Sequence, residues 1–165
     1  MPRLLWCIAG GACGIAATLA LVAASAPLVF LASLGGSTVF LFGLTRAPAA
    51  QPRALVGGHL GGAFIGILCY QVLGDGLWVY AAAQAITLGY MLLTRTVHPP
   101  AGANPLIMVH SHATFAALWQ PVLVGVCTLA VVAFVWSRVF RGQVRYPQSW
   151  LAESPPTPLW GAWNE

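Results

Sequence analysis

Between Met91 and Leu106 the chain gathers Thr94, Arg95, Thr96, His98 and Asn104 around the pair Pro99-Pro100. A guanidinium offers a planar fork of donors that matches a two-oxygen anion. An imidazole beside it can take or give a proton near neutral pH. Proline disfavours the α conformation at the residue before it, so the helix arriving from Met91 is expected to stop at the prolines. Ala101-Gly102-Ala103 carries little side-chain bulk and lets backbone or a small solute approach. Asn104 before Pro105 reads as an N-cap and first helical position. A helix end, a small-residue gap and a helix start, with Arg95 and His98 beside the gap, form a candidate solute site in a membrane protein.

Other polar residues could join it. Gly35-Gly36-Ser37-Thr38 interrupts an apolar run with two donors and a glycine pair. Such a pair either lets helices pack closely or loosens a helix to expose backbone, and packing is the favoured reading. Gln51 and Arg53 flank Pro52 in a short loop, and His59 lies inside the following apolar helix. An ionisable residue at that depth is a functional candidate by default. Leu44-Thr45-Arg46 and Leu93-Thr94-Arg95 each close an apolar run and are each followed by prolines, an amide and a new helix. With two spans between them, these two units would lie on one face of the membrane as a parallel repeat. Cys7, Cys13, Cys69 and Cys127 sit singly in apolar runs, without metal-ligand spacing, and read as small buried hydrophobes. No metal site or cofactor is called for.

The elements that must hold these residues are membrane helices. The chain is 59% hydrophobic and 6% charged, against roughly a quarter charged in soluble domains. Mean hydropathy is +0.81. The net charge of +4 comes from scattered arginines without a basic stripe, so nucleic acid is not an expected partner. The fold expected is an all-α membrane protein of about five transmembrane helices. The spans read as Leu4 to Ala26, Leu28 to Thr45, Ala54 to Gly74, Leu77 to Thr94, and Pro121 to Ser137. The first is too long for a signal-peptide core and is expected to be retained. Leu106 to Trp119, carrying His110 and His112, is short and polar and reads as a re-entrant or interfacial segment. Residues 1–140 form the membrane domain, and 141–165 a Pro- and Trp-containing solvent-facing tail. Gly57, Gly58, Gly61, Gly62 and Gly66 line one helix face suited to close packing. Five spans enclose little volume for a solute path, so a homo-oligomer, most simply a dimer, is expected. Five spans place Arg138, Arg141 and Arg145 opposite the other arginines; if the short segment also crosses, all fall on one side.

The block Thr94-Arg95-Thr96-Val97-His98-Pro99-Pro100-Ala101-Gly102-Ala103 resembles the signature of the HPP family of integral membrane proteins. The resemblance extends to Gly35 through Phe42, to Ala50-Gln51-Pro52-Arg53 with Gly57-Gly58-His59, and to Arg145-Tyr146-Pro147 with Trp150. It departs at Leu34 and Gly36, where the family pattern is closer to Phe and Ala, and at Ala54, usually Asn. The resemblance implies a small multi-span protein, with plant chloroplast members assigned to nitrite transport. Some bacterial members continue into a cytoplasmic CBS domain, which implies a cytoplasmic C-terminal side. The expected function is membrane transport of a small anion, nitrite first, in a bacterial inner membrane. Arg95, His98, Asn104, Arg53, Gln51, Ser37, Thr38 and His59 are the expected substrate contacts. Enzyme chemistry is the weaker reading. Only Asp75, Glu153 and Glu165 are acidic, and Asp75 lies in the wrong loop to pair with His98. A structural or regulatory subunit, with the polar motif as inter-helix glue, is the third reading.

Overall fold

The computed structural model describes residues 1–22, 28–140, 142–158 and 161. Its helices are α1 (Pro2–Val22), α2 (Leu28–Gly43), α3 (Pro52–Leu73), α4 (Leu77–Thr94), α5 (Asn104–His110) and α6 (Leu118–Val139). The all-α expectation holds. Helices α1, α3, α4 and α6 are long and apolar enough to cross a membrane, and α2 is a shorter apolar helix. The end of the expected first span, 23–26, lies outside the described residues. Leu5 and Ile8 on α1, Ile86 and Leu88 on α4, and Val131 and Val135 on α6 are exposed. Such an apolar exterior suits lipid, where neither an exposed methyl nor a hydrogen-bonded helix backbone is penalised.

Helix α3 is the hub, packed against α4 and α5, while α1 packs on α6. Its glycines make this possible. A Cβ on Gly66 would sit 2.6 Å from Pro105 Cα, on Gly57 2.9 Å from Thr96 Cγ2, and on Gly62 3.0 Å from the Ala101 carbonyl. Gly61 lies under the Tyr90 ring. The glycine face is thus filled from within the chain by α4 and the Pro99-to-Pro105 segment. Gly36 serves α2 likewise, its absent Cβ leaving room for Pro100 at 3.0 Å. Packing, not helix loosening, explains that glycine.

The fourth helix has the expected bounds, while the motif departs from expectation in what ends that helix, in the gap and at Asn104. Helix α4 stops at Thr94, before the prolines, because Arg95 takes a left-handed conformation (φ 54°) and caps it. Pro99–Ala103 forms a tight 3-10 turn, so Ala101-Gly102-Ala103 is a close-packed joint rather than an open gap. Asn104 is not an N-cap. It is already helical (φ −59°, ψ −46°), and its side chain reaches across to α3.

Contacts order the two ends of the bundle. His98 Nδ1 meets the Ala49 carbonyl at one end, and His112 Nε2 meets Asp75 at the other. The 3-10 turn and α5 therefore carry the chain from one end to the other. The helical part of the expected Leu106-to-Trp119 segment stops at His110, and the residues after it lie at the Asp75 end, where His110, His112 and Thr114 to Ala116 are exposed. Its depth is covered by a short helix because a 3-10 turn, rising about 2 Å per residue, precedes it. Every described arginine then falls on the Ala49 end, with the tail, and Asp75 on the other.

Candidate functional site

Ser37, His59, His98 and Asn104 converge in the interior, below the Ala49 end, each at most 2% exposed. Ser37 Oγ lies 2.9 Å from His59 Nε2 and 2.8 Å from His98 Nε2. His98 Nδ1 lies 2.6 Å from the Ala49 carbonyl. Asn104 Nδ2 lies 3.0 Å from His59 Nδ1 and donates to the His59 carbonyl at 2.9 Å. The end groups set the direction of every bond. A carbonyl only accepts, so His98 Nδ1 carries hydrogen and its Nε2, in the neutral ring, accepts. An amide NH2 only donates, so His59 Nδ1 is bare and its Nε2 donates. The chain runs Asn104 to His59 to Ser37 to His98 to Ala49, with both imidazoles neutral and each link satisfied. Ser37 Oγ also lies 3.1 Å from the Ser33 carbonyl, a second acceptor for its one hydrogen. Phe40 packs beside His98, ring centroids 5.3 Å apart.

The arginines form a separate group at the tail end. Arg53 Nη2 donates to the Thr94 carbonyl at 2.8 Å, and Nη1 lies 3.5 Å from Glu153. Arg95 pairs with the other oxygen of the same carboxylate and donates to the carbonyls of Pro155 and Pro156. The tail is pinned there. Val97 N–H donates to the Ser154 carbonyl at 2.8 Å, Ser154 N–H to the Arg95 carbonyl at 2.9 Å, and Ser154 Oγ to the Val97 carbonyl at 2.7 Å. Gln51 is a clasp: its Nε2 donates to the carbonyls of Thr45 and Ala47, and its Oε1 accepts from the backbone of Gln148 and Ser149. Thr38 Oγ1 is spent on the Gly35 carbonyl at 2.7 Å.

So four of the eight expected residues meet in the buried chain, Arg53 and Arg95 meet on Glu153, and Gln51 and Thr38 serve the backbone. Arg95 hydrogen-bonds to none of His98, Ser37 or Asn104. The described part of the tail is irregular, and Tyr146 (1% exposed) and Ser154 (5%) anchor it. Glu153 is the residue the sequence reading missed. Its rarity was the available signal, since it is one of only three acidic residues beside seven arginines. The tail's burial shows also in Tyr146, whose phenol is pushed above its ordinary pKa by desolvation.

A bundle of apolar helices enclosing a buried imidazole–hydroxyl–amide chain is an integral membrane protein. Residues 1–147 match the model of the HPP transmembrane region, and the chain belongs to the HPP family. Two transmembrane proteins of Dictyostelium discoideum are similar to it. One is 33% identical over 130 residues, covering 74% of this chain and 45% of the relative. The other is 34% identical over 131 residues, covering 74% and 42%. The chain thus spans less than half the length of these relatives. No solved structure matches.

Proposed function

We propose that this protein transports a small anion, nitrite first, across a bacterial inner membrane, with the arginine end facing the cytoplasm. One observation carries the reading: Arg53 and Arg95 converge on one carboxylate, that of Glu153. Nitrite, like a carboxylate, is planar and bent and spreads one negative charge over two oxygens. The guanidiniums therefore already hold an anion of nitrite's shape, supplied by the chain's own tail, and nitrite enters by displacing it.

The buried chain supplies the coupling. A proton added to His98 Nε2 turns that atom into a donor. Ser37 then accepts from both imidazoles and turns its hydrogen to the Ser33 carbonyl, leaving no group unpaired. The chain so accommodates zero or one extra proton, which suits proton-coupled movement of an anion. Because its members are sealed from the surface, a pathway requires rearrangement of the helices or a second copy of the chain. A homodimer fits this reading, with its interface away from the internally filled glycine face. Enzyme chemistry is disfavoured because neither His59 nor His98 hydrogen-bonds a carboxylate among the described residues.

Nitrite uptake into proteoliposomes tests the proposal. Arg95→Gln should lower uptake about tenfold or more, the loss of roughly one charge-assisted bond. Arg95→Lys keeps charge but loses the fork and should fall between. Uptake by Arg95→Gln at the unmodified rate would overturn the anion site.

A further inference from the structure

At the arginine end, away from the Glu153 cluster, lies a cavity of about 730 Å³ between the start of α1, the end of α2 and the chain after α6. Arg3 and Arg46 line it from separate segments. Both are exposed, and neither has a hydrogen bond or ion pair among the described residues. An arginine at a helix end ordinarily sits among headgroups with no special site. Two further features set this place apart. The indole Nε1 of Trp6 and the Oε1 of Gln143, both on residues lining the cavity, are buried without a hydrogen-bond partner. A buried donor or acceptor left unpaired costs about 1–3 kcal/mol, so a ligand that pairs it is favoured. The apolar wall is firm: Trp6 stacks on Trp136 with centroids 4.3 Å apart and lies 5.5 Å from Phe140.

We infer that this cavity binds an anionic amphiphile: a phosphate-type head between Arg3 and Arg46, at least one hydroxyl donating to Gln143 Oε1, and an apolar body along Trp6 and Phe140. An acceptor oxygen of the head takes the Trp6 N–H. The volume falls within the usual range of small-molecule sites. The required chemistry, an anion that also donates, is that of a phosphatidylglycerol head or of a free organic phosphate such as glycerol phosphate. A phosphatidylcholine head lacks both the net charge and the donor. The site stands apart from the transport reading, since it uses neither Arg53 nor Arg95.

Cys7 lines the cavity and reports on it. With Cys13, Cys69 and Cys127 replaced by Ala, the rate of Cys7 modification by an uncharged maleimide is measured in nanodiscs. Phosphatidylglycerol should slow the reaction roughly tenfold relative to phosphatidylcholine, the effect expected of two arginines engaging an anionic head. Arg3→Gln with Arg46→Gln should abolish the difference. Protection in phosphatidylcholine nanodiscs by added glycerol phosphate assigns the site to a soluble phosphate instead of a lipid. Equal rates in both lipids without protection by glycerol phosphate overturn the inference. So does undiminished protection in the double variant. If that variant fails to assemble, the lipid comparison on the native arginines still decides.

Discussion

Ser37 is the residue on which the buried chain turns, because one hydroxyl links two imidazoles from different segments. Ser37→Ala removes both links at once and leaves His59 Nε2 without an acceptor. It should destabilise the protein by about 1–3 kcal/mol, read as a lower unfolding midpoint in detergent. Ser37→Ala combined with His59→Ala should cost less than the sum of the two, since each breaks the same link. If proton coupling resides here, a pH dye inside proteoliposomes should show nitrite-driven proton movement in the native protein and none in Ser37→Ala. Proton movement undiminished by the substitution would remove the chain from the mechanism. The direction of its bonds rests on only two groups, the Ala49 carbonyl and the Asn104 amide. Both lie far in sequence from the residues they orient, so the order of donors was not legible beforehand.

At the scale of elements, the glycines of α3 separate packing from conformational freedom. Gly66→Ala should be destabilising by about 1–3 kcal/mol, because its methyl would press on the backbone of Pro105. Gly89→Ala, whose Cβ would meet nothing within 4 Å, should be neutral or mildly stabilising. Equal unfolding midpoints for the two variants would mean that α3 and the Pro segment do not meet as described. The far end of the bundle is tied differently. His112 lies 2.6 Å from Asp75, stacks on Tyr70 with centroids 4.8 Å apart, and Tyr80 O–H donates to the same Asp75. The His112 hydrogen bond holds the Asp75 carboxyl below its ordinary pKa. A depressed carboxylate contributes stability above its unfolded pKa of about 3.9 and loses it as pH falls through the folded value. Hydrogen exchange in residues 74–76 and 111–114 should therefore be slow near neutrality and accelerate only below about pH 4. Asp75→Asn should flatten that dependence, and a native profile with no acid limb would dismiss the tie.

For the whole molecule, the crossing of α5 decides topology. It places the loop around Pro48, the Pro-Pro motif and the tail at one end, and Asp75 at the other. In a Cys-free background, Pro48→Cys and Pro99→Cys, both at exposed positions, should label from the same side of the membrane, and Asp75→Cys from the opposite side. Labelling of residues 48 and 99 from opposite sides would contradict the fold. The tail is held to that end by Glu153 and Ser154. Glu153→Gln should free the two arginines and raise nitrite uptake at low concentration. A fall in uptake in this variant would assign the contact to a structural staple.

What the sequence by itself determined was the class of molecule, together with a set of eight polar residues that includes the four of the buried chain. Long uncharged apolar runs can satisfy their backbone in lipid only as helices, so the all-α membrane fold followed from composition and run length. Ser37, His59, His98 and Asn104 stood out because polar groups within such runs must find partners, and they find one another. Only the tertiary structure decided the rest. The left-handed turn at Arg95 points its guanidinium at the tail and away from His98, a choice made by Glu153 and by the carbonyls of Pro155 and Pro156 some sixty residues on. The 3-10 turn at the prolines lets a seven-residue helix complete a crossing that its length alone disallows. Both outcomes depend on contacts between segments remote in sequence, and local propensity carries no record of those.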